Sequence, residues 1–283
     1  MPGVTWAAGA GELDRKPFVG SAQAGDDAAV IAMDCAFGPP KAKAPALVAR
    51  KAWAFGGDVM VCLIANLTAD QAAGPVRTAL DQCRQAGAVT AAEAGKAARA
   101  LPDGTHKLDK VRWVFHNGLA YMPLFPAEMT VKVGPVTGDW HRINRQYNDK
   151  PVADKVFLPV LEHGTTPRAV SCGYAVAAVA SPAAAETLAA RPTWTVLSNT
   201  VARQAVRFAD GSIVAAFYLP GSLTDSAGNA ILTADAPCLL ALRGRDVFAS
   251  DPTHKGGDLT VTTPDGRRVK ARLPADGTVI QAR

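Results

Sequence analysis

Apolar residues recur along the chain mostly in short runs that glycine, asparagine, aspartate and proline separate. Between residues 129 and 133, methionine and two valines alternate with threonine and lysine, which is the period of a half-buried strand. Asn117-Gly118 separates the apolar runs 111–115 and 119–121, and this dipeptide is a strong hairpin signal because both residues tolerate positive φ. The pattern therefore predicts antiparallel strands joined by tight turns.

Turn signals of the same kind recur throughout the chain. Glycine, proline and aspartate interrupt apolar runs at 56–58, 210–211 and 264–266, and each interruption predicts a hairpin. Further strands are predicted at 156–161, 171–180, 194–197, 238–242 and 246–249. A succession of strands with tight turns predicts an all-β chain built as antiparallel sandwiches.

One segment between these strands breaks the pattern and predicts a helix. Residues 88–101 are rich in alanine, and Thr90 and Glu93 have the spacing of a capping box. We therefore expect a short helix here, in an insertion between strands.

A second helix is predicted directly after Ser181. Serine is a preferred N-cap residue, and proline is preferred at the first helical position, which Pro182 occupies. About two helical turns are expected, followed by the linker 189–193. The domain boundary is placed in this linker, which predicts domains at 1–190 and 193–283.

Composition and charge narrow the functional classes. The chain has 283 residues, 48% of them apolar, which suffices for a sizeable core and excludes wholesale disorder. The formal net charge of +5 suits acidic partners such as nucleic acid, anionic lipid or acidic polysaccharide, and also occurs on ordinary soluble surfaces.

The longest apolar run is 59–65, far below the ~20 residues of a membrane helix, so no membrane span is expected. The first residues show no export-signal pattern, so no signal peptide is predicted in this chain.

Cysteine spacing argues against a metal site. The five cysteines are odd in number, and none forms a C-x-x-C pair, so neither a disulfide framework nor a zinc site is predicted. Cys62 and Cys172 lie in apolar, strand-like runs and are interpreted as buried free thiols. No nucleophile elbow, phosphate-binding loop or H-E-x-x-H motif is present. The residues alone therefore indicate no metal, no cofactor and no self-contained active site.

Two histidine segments are candidates for chemistry. His116 precedes the Asn-Gly turn and could present an imidazole at a sheet edge; the alternative is an ordinary turn with an exposed histidine. Glu162 and His163 form an acid–base pair in sequence, but adjacent strand residues point to opposite faces. The pair is therefore not expected to serve one site.

A third candidate is the segment Asp139-Trp140-His141-Arg142. It combines an aromatic ring with basic groups, which suits stacking on a sugar ring and pairing with a carboxylate. The alternative interpretation is a buried tryptophan at a strand start, beside an ordinary solvated loop.

Several segments together resemble polysaccharide lyase family 8, the hyaluronate, chondroitin and xanthan lyases. Residues 113–121 match the family pattern Trp-x-x-His-(Asn/Asp)-Gly-x-x-Tyr, and residues 138–144 match Gly-x-Trp-x-x-Ile-Asn. Similar segments lie at 2–5, 18–21, 49–55, 58–63, 76–82, 163–174, 196–206 and 250–253. Their order and spacing resemble the C-terminal β half of the family from Pro2 to about Val261.

The resemblance implies both a fold and a missing part. It implies a galactose-mutarotase-like super-sandwich over 1–190 and a smaller antiparallel β-sandwich over 193–283, with minor helical insertions. In the family, an N-terminal α/α toroid supplies the asparagine, histidine, tyrosine and arginine of the β-elimination site. None of these four maps onto this sequence, so no catalytic residue is assigned. The toroid, from the same gene or a separate chain, is an expected partner, and an exposed apolar surface is expected where it docks.

The function that the resemblance implies is the β portion of a polysaccharide lyase. This portion would form one wall of the cleft for an acidic polysaccharide of the hyaluronan, chondroitin or xanthan type. The parent enzyme is expected to be extracellular or periplasmic, and nucleic acid is not an expected partner. The expected glycan contacts are His116, Asn117, Trp140, His141 and Arg142. Alternatives are a stand-alone carbohydrate-binding or structural β module, and a mutarotase-like sugar epimerase that uses His116 and His163.

Overall fold

The computed structural model describes residues 3–38, 46–70 and 74–283; Pro2, where the first family-like motif begins, lies outside them. The first part of the chain contains strands β1 (Thr5–Ala7), β2 (Glu12–Asp14), β3 (Val19–Ala24), β4 (Ala28–Gly38), β5 (Leu47–Gly56), β6 (Val59–Thr68), β7 (Val76–Ala79), β8 (Cys83–Arg84), β9 (Val89–Glu93), β10 (Arg99–Leu101), β11 (Gly104–Leu108), β12 (Val111–His116), β13 (Leu119–Pro123), β14 (Met129–Gly138), β15 (Val152–Glu162) and β16 (Val170–Ala178). The second part contains helix α1 (Pro182–Ala190) and strands β17 (Trp194–Asn199), β18 (Arg203–Phe208), β19 (Ile213–Phe217), β20 (Gly221–Thr224), β21 (Ala230–Ala234), β22 (Cys238–Arg243), β23 (Asp246–Ser250), β24 (Gly257–Thr262), β25 (Arg268–Leu273) and β26 (Ile280–Ala282).

These strands form four antiparallel sheets. Sheet A has the order β1-β7-β15-β14-β11, and β8 also pairs with β15. Sheet B has the order β10-β9-β12-β13-β16-β6-β5-β4, and β2 and β3 both pair with β4. Sheet C has the order β17-β18-β19-β22-β23-β26, and sheet D has the order β20-β21-β24-β25. The predicted all-β class, a larger sandwich followed by a smaller one, is confirmed.

The sheets are layered so that sheet B is central. Ile64 of sheet B and Phe157 of sheet A share one buried cluster. Val61 of sheet B and Leu239 of sheet C share a second cluster on the other face. A third cluster, which includes Leu259, lies between sheets C and D. Sheet B therefore holds the two parts of the chain together, because successive residues of its strands enter different cores.

The strongest hairpin prediction is confirmed. His116 pairs with Leu119 across the turn between β12 and β13, and Asn117 and Gly118 both have positive φ values, 46° and 80°. Two positive φ values in a two-residue loop match the twist of the flanking strands. The turn between β5 and β6, where Gly56 pairs with Val59, is confirmed as well.

The helix predicted at 88–101 is wrong, because this segment is a hairpin of β9 and β10. Leu101 pairs with Val89, and both side chains enter the core between sheets A and B. Glu93 caps no helix; its carboxylate accepts a hydrogen bond from the backbone N–H of Asp109 at 2.9 Å and pairs with Lys96 at 3.1 Å. Burial of alternate residues against the core has overridden a helix propensity that comes mainly from alanine.

The second predicted helix is confirmed as α1. The Ser181 side chain accepts a hydrogen bond from the backbone N–H of Ala184 at 3.2 Å, and Pro182 begins the helix. The helix ends at Ala190, and β17 begins at Trp194. No helix in the described part of the chain is long and apolar enough to cross a membrane.

Polar side chains of the second part tie it to sheet B. The Asn199 amide donates to the backbone carbonyls of Ile64 at 3.2 Å and Cys172 at 2.8 Å. The Gln204 amide donates to the Asn199 side-chain oxygen at 2.9 Å, and the Tyr218 hydroxyl donates to the Gln204 side-chain oxygen at 2.8 Å. The family-like segment 196–206, which contains Asn199 and Gln204, thus supplies hydrogen bonds across the junction of the two parts.

Candidate functional site

The candidate site is the loop at the end of the β14–β15 hairpin. The two strands stay in register from Met129 opposite Leu161 to Gly138 opposite Val152. The loop 139–151 follows at the end of this ladder. A long, regular pair of strands fixes the position of the loop that joins them. Binding residues often lie on loops that a rigid scaffold positions in this way.

The loop is organised by its own hydrogen bonds. The backbone N–H of Asn144 donates to the Trp140 carbonyl at 2.9 Å, which closes a turn. The Asp139 carboxylate accepts from the backbone N–H of Arg142 at 3.0 Å and pairs with the Arg142 guanidinium at 3.1 Å. One ring nitrogen of His141 lies 2.9 Å from the Tyr147 carbonyl oxygen. These bonds hold the aromatic and basic side chains on one short segment.

Trp140 lies at the surface, so the interpretation of a buried strand-start tryptophan is wrong. Its side chain is 56% exposed, and Ile143 and Tyr147 are exposed beside it. The Trp140 and Tyr147 ring centroids are 6.5 Å apart and tilted by 49°. Large exposed apolar groups clustered in this way mark contact surfaces on soluble proteins.

The charges of this loop suit an anionic ligand with apolar faces. Arg142 and Arg145 are exposed, and Arg142 keeps unused guanidinium N–H groups beyond its pairing with Asp139. A guanidinium binds carboxylate or sulfate through two parallel hydrogen bonds, and an indole offers a face to a sugar ring.

His116 does not belong to this surface, because the structure buries it. Its side chain is 2% exposed and stacks on the Phe157 ring with centroids 4.3 Å apart. One ring nitrogen accepts from the backbone N–H of Ala86 at 2.9 Å, and the other lies 3.9 Å from the Cys83 sulfur. Burial lowers the pKa of His116. Both interpretations of an accessible imidazole are therefore wrong, since strand alternation turns His116 into the core between sheets A and B.

The remaining predicted contacts fall into two places. Trp140, His141 and Arg142 share the loop after β14, whereas Asn117 is exposed on the separate turn between β12 and β13. Of the five predicted contact residues, three thus lie on one exposed loop, one lies on a separate exposed turn and one lies in the core.

Glu162 and His163 have separate partners. The Glu162 carboxylate pairs with Arg77 at 2.9 Å and accepts from the Thr130 hydroxyl at 2.7 Å. A ring nitrogen of His163 lies 2.7 Å from the Thr78 hydroxyl. Burial, with the nearby Lys51 charge, lowers the pKa of His163 to about 4. The histidine is thus neutral near pH 7 and engaged with a hydroxyl, and it does not converge with Glu162 on one cleft.

Sequence reasoning missed a buried polar chain that ends at this histidine. Lys51 is 3% exposed, and its ammonium donates to the Gly3 carbonyl at 2.5 Å and the Thr5 hydroxyl at 3.1 Å. The Thr5 and Thr78 hydroxyls are 2.8 Å apart, and Thr78 then contacts His163. The only sequence signal was the position of Lys51 in the family-like segment 49–55.

Two further observations bear on ligand binding: a cleft beside α1, and a search for clusters of metal-binding side chains. A cleft of about 820 Å³ lies between α1 and the turns after β5 and β18, and the ion pair of Arg243 with Asp27, 3.0 Å long, stands at its rim. Among the described residues, no group of three or more histidine, cysteine, aspartate or glutamate side chains is placed to hold a metal ion.

Comparison with known proteins gives the family. Residues 1–191 match the polysaccharide lyase family 8 super-sandwich domain, and residues 195–260 match the C-terminal beta-sandwich domain of the same family. Chondroitinase-AC of Pedobacter heparinus is 30% identical over 215 residues, which are 74% of this chain and 30% of that protein.

Solved structures show the same fold over the whole chain. A Streptomyces coelicolor A3 chondroitin AC lyase in complex with chondroitin sulphate is 26% identical, with a TM-score of 0.74; the match covers 100% of this chain and 39% of that one. A Paenibacillus xanthan lyase is 15% identical, with a TM-score of 0.83, and the match covers 100% of this chain and 30% of that one. The chain therefore spans less than half the length of these relatives, and it belongs to polysaccharide lyase family 8.

Proposed function

We propose that this chain is the β portion of a polysaccharide lyase that acts on an acidic polysaccharide by β-elimination. It forms one wall of the glycan cleft, and an N-terminal α/α toroid supplies the catalytic groups. Membership of the family and the relatives' action on chondroitin support the substrate class. The observation that carries the proposal is the exposed Trp140 beside Arg142 on the loop 139–151.

Three of the four tyrosines of the chain are buried, whereas Tyr147 is exposed on the loop 139–151. β-Elimination needs a base that removes the proton next to the uronate carboxyl group, together with a cation or amide that stabilises the developing charge. Tyr121, Tyr174 and Tyr218 are buried, and burial raises the pKa of each phenol. None of the three is therefore a surface base.

The chemistry of the loop fits a binding role. Trp140 stacks on a sugar ring, and Arg142 pairs with a uronate carboxylate or a sulfate. His141, on the same loop, adds a polar contact at the margin, whereas Asn117 stands on a separate turn. Exposed ion pairs contribute only about 0–1 kcal/mol each, so binding to this wall alone is weak and sensitive to salt.

The first experiment measures unsaturated-uronate absorbance on chondroitin and hyaluronan. The chain alone is expected to release no product, whereas the chain mixed with the α/α toroid of a chondroitin AC lyase is expected to release it. Product from the chain alone would contradict the assignment of catalysis to the toroid. No product from a mixture in which the two associate would contradict the cleft-wall role.

The second experiment titrates chondroitin sulfate at low and high salt. Trp140→Ala with Arg142→Ala is expected to weaken binding about tenfold, since a stacking contact and an ion pair are lost together. Phe125→Ala with Arg272→Ala is the matched control, because both residues are exposed elsewhere. Equal affinities of the two double variants would place the binding surface away from the loop.

The two alternative functions, a stand-alone binding module and a sugar epimerase, require different features of the chain. A stand-alone binding module would use the same loop and would need no toroid, so tight binding by the isolated chain would favour it. An epimerase needs an accessible histidine near a carboxylate, and His116 and His163 are both engaged inside the structure. Neither of these two histidines is therefore placed as the accessible acid or base that an epimerase needs.

A further inference from the structure

Sheet D is the last layer of the molecule and turns one face away from sheet C. We propose that this outward face binds an acidic polysaccharide chain through the cations of Arg268, Lys270 and Arg283. It is a second glycan-binding surface, on other residues than the loop 139–151. That the ligand is a polyanion follows from the charges of the face; that the polyanion is a glycan follows from its hydroxyl groups and rests also on the proposed function.

The alternation of side chains along β24 and β25 creates this face. Val261 and Val269 stand opposite each other, and both enter the cluster between sheets C and D. The neighbouring pair, Thr262 opposite Arg268, is half-buried on β24 and exposed on β25. Because successive side chains of a strand point to opposite faces, Thr262, Arg268 and Lys270 point away from the core.

Three basic side chains meet on the outward face. Arg268 and Lys270 are two residues apart on β25, so their Cα atoms lie about 7 Å apart on one side of the strand. Lys270 and Arg283 exchange two backbone hydrogen bonds, 2.7 and 3.1 Å long, which places these two residues directly opposite each other. All three side chains are exposed. In the part of the chain that the structure describes, none of the three forms an ion pair.

The nearby carboxylates have partners of their own. Asp258 pairs with Arg272 at 3.3 Å, so Arg272 does not belong to the set of free cations. The Asp235 carboxylate accepts a hydrogen bond from the backbone N–H of Thr260 at 2.7 Å. The cluster of Arg268, Lys270 and Arg283 is therefore a local concentration of positive charge, and such a concentration attracts a polyanion.

A row of hydroxyl groups crosses sheet D and ends at Arg268. Ser222 on β20 stands opposite Thr233 on β21, and their hydroxyl oxygens are 2.7 Å apart. Thr233 stands opposite Thr262 on β24, which stands opposite Arg268 on β25. The row is about 14 Å long, since neighbouring strands are about 4.8 Å apart. Hydroxyl groups donate and accept hydrogen bonds, so the row suits the hydroxyl groups of a sugar chain whose acidic groups reach the cations.

Other polyanions fit this face less well. Single-stranded nucleic acid is bound by stacking of its bases on aromatic rings, and a duplex is read by an element that enters a groove. A membrane surface is bound by an apolar face beside the cations. The strands of sheet D contain no aromatic residue, and their outward positions are mostly threonine and basic residues. A flat face of hydroxyl groups and cations therefore favours an acidic polysaccharide.

The test measures the affinity of the whole chain for long chondroitin sulfate by calorimetry at several salt concentrations. Every variant also carries Trp140→Ala with Arg142→Ala, so that the loop 139–151 does not contribute. The test variant removes the three free cations: Arg268→Gln, Lys270→Gln and Arg283→Gln. The control removes the same charge at dispersed exposed positions: Arg15→Gln, Lys107→Gln and Arg168→Gln. A hydroxyl variant carries Thr233→Val with Thr262→Val.

The test variant is expected to bind at least tenfold more weakly at low salt and to depend less on salt, since three ion pairs are lost together. The control is expected to stay within threefold. The hydroxyl variant is expected to bind chondroitin sulfate about threefold more weakly and polyglutamate, a polyanion without sugar hydroxyl groups, unchanged. Melting temperatures check folding, and if the test variant does not fold, Lys270→Gln is compared with Lys107→Gln.

Equal affinities of the test variant and the control would overturn the proposal. So would tighter binding of duplex DNA or of phosphatidylserine vesicles than of chondroitin sulfate at the same salt concentration. An equal loss of polyglutamate and chondroitin sulfate binding in the hydroxyl variant would overturn the assignment to a glycan. Because the loop is absent from every arm, these outcomes are independent of the loop titration and of the product assay that test the proposed function.

Discussion

The two faces of sheet B differ in what covers them. On β4, Val30 and Ala32 are buried toward sheet C, whereas Ile31 between them is exposed on the other face. On β5, Ala54 is buried and the neighbouring Phe55 is exposed in the same way. A strand that is apolar on both faces is typical of a sheet covered on both sides. The chain thus carries a strand sequence for two covering layers, and around Ile31 and Phe55 its described residues provide only one of them.

Truncation of a side chain on the covered face, toward sheet C, is expected to have the largest effect on stability. Leu239→Ala removes a fully buried side chain between sheets B and C, so the free energy of unfolding should fall by about 2–5 kcal/mol in a urea titration. Ile31→Ala, on the uncovered face, should cost less than about 1 kcal/mol. Similar losses for both variants would remove the distinction between the faces.

The side of sheet B toward sheet A is expected to make stability depend on pH. Burial holds the pKa of His163 at about 4, against roughly 6.5 in an unfolded chain. Between these values the unfolded chain binds a proton that the folded chain does not, so stability falls as the pH drops from about 6.5 to about 4. The loss approaches about 3 kcal/mol near pH 4.

The check compares urea titrations at several pH values. His163→Gln should reduce the dependence in this window and leave the part that comes from His116, whose pKa burial also lowers, whereas His141→Gln, a change in the exposed loop, should leave the dependence as it is. A dependence that His163→Gln does not reduce would assign the titration to another group.

The polar links across the covered junction are expected to have a smaller effect. Asn199→Ala leaves the carbonyls of Ile64 and Cys172 without their donor, which should cost about 1–3 kcal/mol. Gln281→Ala removes a bond to Asp246 at the surface and should change stability by less than about 0.5 kcal/mol. Thermal melting of the two variants measures the difference, and equal melting temperatures would show that the junction is held by apolar packing alone.

Polar substitution of the uncovered face is expected to change stability least and association most. Ile31→Ser with Phe55→Ser should alter the free energy of unfolding by less than about 1 kcal/mol, while lowering self-association in sedimentation velocity, because an exposed apolar face is removed. Leu219→Ser, another exposed apolar position, is the control. Unchanged self-association of the double variant would show that this face does not mediate self-association.

Local signals in the sequence predicted most of the architecture. Asn117-Gly118 and Gly56 specify their hairpins because positive φ and tight turns favour few residue types. Ser181 with Pro182 specified α1 for a similar reason. Alanine carries no such information, and at 88–101 its helix propensity yielded to burial of Val89 and Leu101 in the core. Turns were predictable, whereas segments decided by what packs on them were not.

The candidate site shows the same limit. The residue types at 139–142 indicated sugar contact, but whether Trp140 is buried depends on the length of the β14–β15 ladder beneath it. His116 stands next to a turn, yet Phe157, far along the chain, covers its ring. The chain from Lys51 through Thr5 and Thr78 to His163 joins four distant positions. The exposure of a side chain and its long-range hydrogen bonds are set by the tertiary structure. The sequence therefore predicted candidate residues but not which of them are buried or what they contact.

The pairing of β6 with β16, in which Cys62 stands opposite Tyr174, also bears on synthesis. Strands β3 to β6 pair in sequence order and leave the ribosome before β16, so one edge of β6 must wait for a partner that is made later. During that interval its apolar run 59–65 lies at an open edge, which is a template for aggregation. We therefore expect the yield of native chain in a cell to depend on how quickly translation reaches β16.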